Sequence, residues 1–129
     1  MQPLVMVVDD EDKVRHYLSR LLEKRGFSVS TAADGKAALE LLEQMDFDIV
    51  LLDVLMPGLD GICVLKEIKK RKPLTEVIIL TGNASVNTGV EGLRLGAIDY
   101  MLKPINLENL LLCMHEALQQ RRFRTNGET

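Results

Sequence analysis

Residues 4–10 read Leu4-Val5-Met6-Val7-Val8-Asp9-Asp10, an apolar run that stops on two acids. A strand with one wet face alternates apolar and polar residues; a run without alternation fits a strand covered on both faces, as in a parallel sheet between helices. The same form returns at Ile49-Val50-Leu51-Leu52-Asp53 and at Val77-Ile78-Ile79-Leu80-Thr81. Leu4 to Val8, Ile49 to Leu52 and Val77 to Leu80 are therefore expected to be central strands. Phe27, Val29 and Thr31 alternate with their neighbours, as do Ile98, Tyr100 and Leu102. Those two segments are expected at the periphery.

Between the strands the apolar period changes to that of a helix. Val14, Tyr17, Leu18, Leu21 and Leu22 fall at i, i+3, i+4, i+7 and i+8 before Gly26, which makes one amphipathic helix. Ala38, Leu41, Leu42 and Met45 form a second stripe, Gly61, Val64, Leu65 and Ile68 a third, and Leu107, Leu110, Leu111 and Met114 a fourth. From Ala84 to Leu95 the pattern predicts only a marginal helix, because Asn87, Thr88, Gly89 and Gly92 are poor helix formers. Strand and helix thus alternate five times, the mark of an α/β fold with a parallel sheet. After Leu118 the pattern gives way to Gln119, Gln120, Arg121 and Arg122, which read as a frayed helix or the start of a linker. One domain is expected over residues 1–120, with 121–129 as a polar tail or linker start. Arg121, Arg122 and Arg124 are expected to be solvated, or else to contact a linker or partner.

Composition removes several function classes. The 129 residues are 47% hydrophobic and 27% charged, with a net charge of -3, an ordinary globular profile without a general pull toward nucleic acid or anionic lipid. No apolar stretch approaches the roughly 20 residues that span a bilayer, and the start at Met1-Gln2-Pro3 lacks the basic region of a signal peptide. Cys63 and Cys113 have no CxxC partner and are too few for a disulfide framework. A cytoplasmic protein in a reducing environment, touching neither nucleic acid nor membrane, is expected. His16 and His115 lack a second ligand at metal-binding spacing and read as plain helix residues. Met45, Met56, Met101 and Met114 read as gap-filling residues.

Four polar signals stand directly after four of the five strands: Asp9-Asp10, Asp53, Thr81 and Lys103. In an open α/β sheet, ligands bind outside the carboxyl ends of the strands, so all four can meet in one cleft. Asp9, Asp10 and Asp53 would repel one another there and call for a hard cation such as Mg2+. A carboxylate beside a metal, faced by a hydroxyl and an ammonium, is also what phosphoryl transfer needs, because charge on three oxygens must be neutralised. Asp53 would be the nucleophile, with Thr81 and Lys103 each taking one phosphoryl oxygen and the metal the third. Taken singly, each signal reads as a turn, cap or strand end.

Val8-Asp9-Asp10-Glu11, Asp53 through Gly61 (DVLMPGLDG), Leu80-Thr81-Gly82 and Gly96 through Pro104 (GAIDYMLKP) resemble, in order and separation, the signature blocks of response-regulator receiver domains. The resemblance covers roughly Leu4 to Leu118. It implies a doubly wound, flavodoxin-like five-stranded sheet of order 2-1-3-4-5 with five helices. It further implies that Asp10, Asp53 and the carbonyl of Leu55 bind Mg2+, with Asp9 reaching it through water. Phosphate would come from a histidine kinase or a phosphotransfer protein. Thr81 and Tyr100 would switch, changing the face made by the fourth helix, fifth strand and fifth helix, which would address an output domain, a partner protein or a second copy. The Lys103-Pro104 bond is cis in the family. Leu55 is apolar where many relatives carry a polar side chain, and in the family that position and the one held by Asn83 set the lifetime of the phosphoryl group.

Such a chain is a signalling switch that assists its own phosphorylation and dephosphorylation, not a turnover enzyme. An aspartate-nucleophile phosphohydrolase usually needs a second acid where Leu55 stands. A flavin-binding module would not place two acids where a phosphate cradle belongs. A receiver-like module regulated by binding alone would not need the complete acceptor set. The blocks look most like receivers that precede transcription-factor domains.

Overall fold

The protein is seen here as a computed structural model that describes residues 2–54, 61–82 and 86–127, with only the backbone for 86–89 and 122–127. Strands and helices alternate as β1 (Leu4–Val8), α1 (Asp12–Lys24), β2 (Ser28–Ala32), α2 (Gly35–Gln44), β3 (Ile49–Asp53), α3 (Gly61–Arg71), β4 (Glu76–Thr81), α4 (Val86–Arg94), β5 (Asp99–Leu102) and α5 (Leu107–Gly127). The sheet has the order β2-β1-β3-β4-β5, and every pairing is parallel. Strand order reverses between β1 and β3, which places the crevice of a doubly wound fold at their carboxyl ends.

The continuous apolar runs are explained by two separate cores. Val5, Val7, Ile49, Leu51, Ile78 and Leu80 pack with Leu18 and Leu22 of α1 and Leu110 and Met114 of α5. Met6, Val8, Val50, Leu52 and Ile79 pack on the other face with Leu42 of α2 and Leu65 and Ile68 of α3. Each central strand shows apolar side chains to both layers, so no position is left for a polar one. The edge strands β2 and β5 are only partly buried, as the alternation predicts. Their starts differ from it: Phe27 and Ile98 lie just before the strands, and Leu102 is exposed.

Helices α1 and α4 end alike. Gly26 and Gly96 have φ of 93° and 110°, the left-handed conformation that glycine adopts without steric cost. Around them Gly26 N–H donates to Glu23 and Phe27 N–H to Leu22, while Gly96 N–H donates to Leu93 and Ala97 N–H to Gly92. These bonds close the last carbonyls in a Schellman motif at each end. Gly92 also explains why α4 contains a poor helix former: a Cβ there would lie 2.0 Å from Ile79 Cδ1. The glycine lets α4 sit on β4.

Helix α5 continues to Gly127, well past the end of its apolar pattern. Arg121 is not a solvated residue: its Nη1 lies 3.1 Å from Asp48 Oδ1, and Asp48 Oδ2 accepts from Leu4 N–H at 2.8 Å. The helix is thereby tied to the amino-terminal end of the sheet. Among the described residues, no helix is long and apolar enough to cross a membrane.

Candidate functional site

The carboxyl ends of the strands finish nearly level. Val8 pairs with Leu52, Asp53 with Leu80 and Thr81 with Leu102, so the residues at or just after these ends share one edge of the sheet. Asp9 follows β1, Asp53 closes β3, Thr81 closes β4 and Lys103 follows β5. Asp9 and Asp53 are buried, and Asp10 beside them is exposed. Carboxylate oxygens of all three acids lie within 4.8 Å of one another.

Lys103 answers part of that charge. Its Nζ donates to Asp9 Oδ2 at 2.7 Å and to Asp53 Oδ2 at 3.3 Å, and its backbone N–H donates to the Thr81 carbonyl at 2.7 Å. Burial pulls the ammonium pKa down, but the hydrogen bond to Asp9 and the attraction of Asp53 outweigh it, and the pKa is raised. Lys103 stays charged at neutral pH. Lys103 reaches two of the three carboxylates, so the cluster keeps excess negative charge of the kind a small divalent cation neutralises with oxygen ligands. The donor set fits Mg2+. The Lys103-Pro104 bond is cis, as the family resemblance implies.

Asp9 is the most constrained of the acids. Its N–H donates to the Ala32 carbonyl at 3.1 Å, Oδ1 accepts from Glu11 N–H at 2.9 Å, Oδ2 accepts from Lys103, and its carbonyl accepts from Arg15 Nη1 at 2.6 Å. Arg15 was not marked by the sequence, because its acceptor is a backbone carbonyl that carries no residue identity. Its spacing of one helical turn from Asp12 was the sole signal.

The Thr81 hydroxyl is fully buried and donates to the Gly82 carbonyl at 3.3 Å. Ile79 pairs with Tyr100 and Thr81 with Leu102; side chains in register, or two apart on a strand, share a face. Thr81 and Tyr100 therefore lie on the same face as diagonal neighbours, and the half-buried Tyr100 packs against the core on that side. Leu55 and Asn83 lie outside the described residues, as does Met56.

Other candidates are bland. His16 is exposed on α1, and the His115 ring sits 6.2 Å from that of Phe27. Cys113 Sγ donates to Asp99 Oδ2 at 3.3 Å, and burial, reinforced by Asp99, pushes its thiol up to about 12.

Comparison with known proteins accords with this geometry. The response regulator receiver domain model matches residues 5–115. Regulatory protein AtoC of Escherichia coli K12 is 44% identical over 115 residues, covering 89% of this chain and 25% of that protein. Among solved structures, NtrX from Brucella abortus in complex with ADP superposes with a TM-score of 0.94 at 32% identity, covering 99% of this chain and 30% of that one. A CheY-like receiver domain protein from Methanospirillum hungatei gives 0.92 at 29% identity, covering 96% and 99%. The chain spans about a quarter of the length of AtoC and of its relative ZraR. Motif order, sheet order and these likenesses agree: the chain belongs to the response-regulator receiver domain family.

Proposed function

We propose that this receiver accepts a phosphoryl group on Asp53 from a histidine kinase or phosphotransfer protein and relays the event through its α4–β5–α5 face. The observation that carries the reading is the set of three carboxylates within 4.8 Å of one another, with the Lys103 ammonium reaching Asp9 and Asp53. A carboxylate oxygen of Asp53 attacks phosphorus, the bond from phosphorus to the donor imidazole breaks, and an acyl phosphate forms. Lys103 then exchanges its contact with Asp53 for a phosphoryl oxygen, and the Thr81 hydroxyl turns from the Gly82 carbonyl to another. Receivers typically bind Mg2+ in an acidic pocket, and a bound ion here would neutralise the remaining phosphoryl charge. Exposed Asp10 and buried Asp53 would hold it directly together with the Leu55 carbonyl. Asp9, whose two oxygens already have partners, would act through water.

The switch reading rests on Thr81 and Tyr100 sharing a face of adjacent strands. Movement of the threonine toward the phosphoryl group opens space that the tyrosine ring can fill. Val90 and Leu93 on α4 and Leu102 on β5 are exposed apolar residues in the region that would change, suited to a partner protein, an output domain or a second copy. An apolar groove of about 480 Å³, lined by Tyr17, Leu21, Pro104 and Ile105, opens beside Lys103 and suits a protein phosphodonor. Residues 1–120 would form the receiver unit and 121–129 begin the link to an output region, acting in the cytosol as a switch. The net charge of -3 favours leaving nucleic acid to another part.

The test is to mix the protein with beryllofluoride and Mg2+ and follow the amide resonances. Shifts at Asp53, Thr81, Tyr100 and α4 are expected; an unchanged spectrum would contradict the proposal.

A further inference from the structure

We propose that Arg15 is the positioning residue of the acidic pair, an inference that rests on reading Asp9 and Asp10 as the cation-holding acids. The residues between β1 and α1 are Asp9, Asp10 and Glu11, and Glu11, at the N-cap of α1, makes no side-chain cap bond. The cap therefore adds no restraint to the turn beyond the bond from Glu11 N–H to Asp9 Oδ1. A further restraint, on the main chain between the two acids, comes from one turn further along, where Arg15 Nη1 donates to the Asp9 carbonyl at 2.6 Å.

That carbonyl belongs to the peptide group joining Asp9 to Asp10. Because the peptide is planar, holding its oxygen restricts ψ of Asp9 and φ of Asp10 together, and so the directions of both side chains. The Arg15 backbone is itself anchored, its N–H donating to the Glu11 carbonyl at 3.1 Å. The guanidinium also pairs with Asp12. The two contacts differ in weight: the Asp12 side chain is 90% exposed, whereas that of Arg15 is 16% exposed. A pair with so exposed an acid is weakened by solvent, while a sheltered charged donor on a carbonyl is not easily replaced. The planar fork reaches both acceptors at once, which a lysine ammonium on its flexible stem does not reproduce.

Positioning and simple charge make opposite demands on cation binding. A guanidinium beside three carboxylates repels an incoming divalent ion, so on Coulomb grounds its removal should tighten binding. As a positioning residue its removal should weaken binding, by roughly tenfold as for other groups that orient metal ligands. The sign of the change decides between them.

Mg2+ is titrated calorimetrically into the full chain and its Arg15→Ala, Arg15→Lys and Asp12→Ala variants at fixed ionic strength. Exchange of the Glu11 amide, which donates to Asp9 Oδ1, is measured in the same proteins without metal. Weaker Mg2+ binding and faster Glu11 exchange are expected for both Arg15 variants, with Asp12→Ala within about twofold of the parent. Tighter or unchanged Mg2+ binding in Arg15→Ala, or full binding in Arg15→Lys, would overturn the inference. If the parent itself binds no Mg2+, the reading of the acids as a cation site fails. The Glu11 exchange then still judges Arg15 alone, and an unchanged rate in Arg15→Ala would refute its positioning of the turn.

Discussion

The two ends of the sheet use the same residue types to opposite effect. At the amino-terminal end the acids Asp48 and Glu76 each face a cation. Asp48 bonds Leu4 N–H and Arg121, and buried Glu76 lies 3.9 Å from Lys69. Lys69 in turn donates to the carbonyls of Pro73 and Thr75, and the Thr75 hydroxyl donates to the Phe47 carbonyl at 2.8 Å. At the carboxyl end three carboxylates crowd together, and Lys103 reaches Asp9 and Asp53. One end pairs its acids with cations and holds the fold; the other keeps an excess of carboxylates. Perturbed, crowded titratable groups tend to mark function for this reason.

Mutations of the acids at the two ends should differ in sign. Glu76→Ala removes one partner of a buried pair and should cost about 3 kcal/mol in a urea titration; a loss below the experimental error would erase the contrast. Gly61→Ala probes the frame behind the acceptor, because a Cβ there would lie 2.4 Å from Val54 Cα, next to Asp53. It should cost about 2 kcal/mol through overpacking, and an unaltered melting curve would show that α3 can back away freely. Asp53→Asn should act in the other direction and stabilise the metal-free protein by about 1 kcal/mol, since it relieves like-charge repulsion. A lowered melting temperature would mean that the contact with Lys103 outweighs the crowding. The smallest effect concerns the thiols. Cys113, with its pKa pushed up to about 12, should alkylate more slowly at pH 8 than exposed Cys63, and equal rates would count against its burial beside Asp99.

What was legible in the sequence followed from local pattern and strand-end logic. The runs ending at Asp9, Asp53 and Thr81 declared central strands because burial on both faces leaves no polar position. The site assembled because those residues close parallel strands of nearly level ends. The edge strands were less well bounded, since alternation continues through Phe27 and Ile98 before the pairing starts. The reason for Gly92 in a helix was not legible because it is tertiary, a close approach to Ile79. Arg121 was misjudged because its partner Asp48, just before β3, is distant in sequence. Arg15 stayed hidden because its acceptor is a main-chain oxygen. Each of these features is a long-range or backbone contact that side-chain periodicity does not encode.

The unbalanced end has one direct test. The protein is treated with acetyl phosphate and Mg2+, the product is trapped with labelled borohydride, which reduces an acyl phosphate at its carbonyl carbon, and the label is mapped. Label at Asp53, absent without Mg2+ and absent in Asp53→Asn, is the expected result. Label elsewhere, or label that persists in Asp53→Asn, would contradict Asp53 as the acceptor.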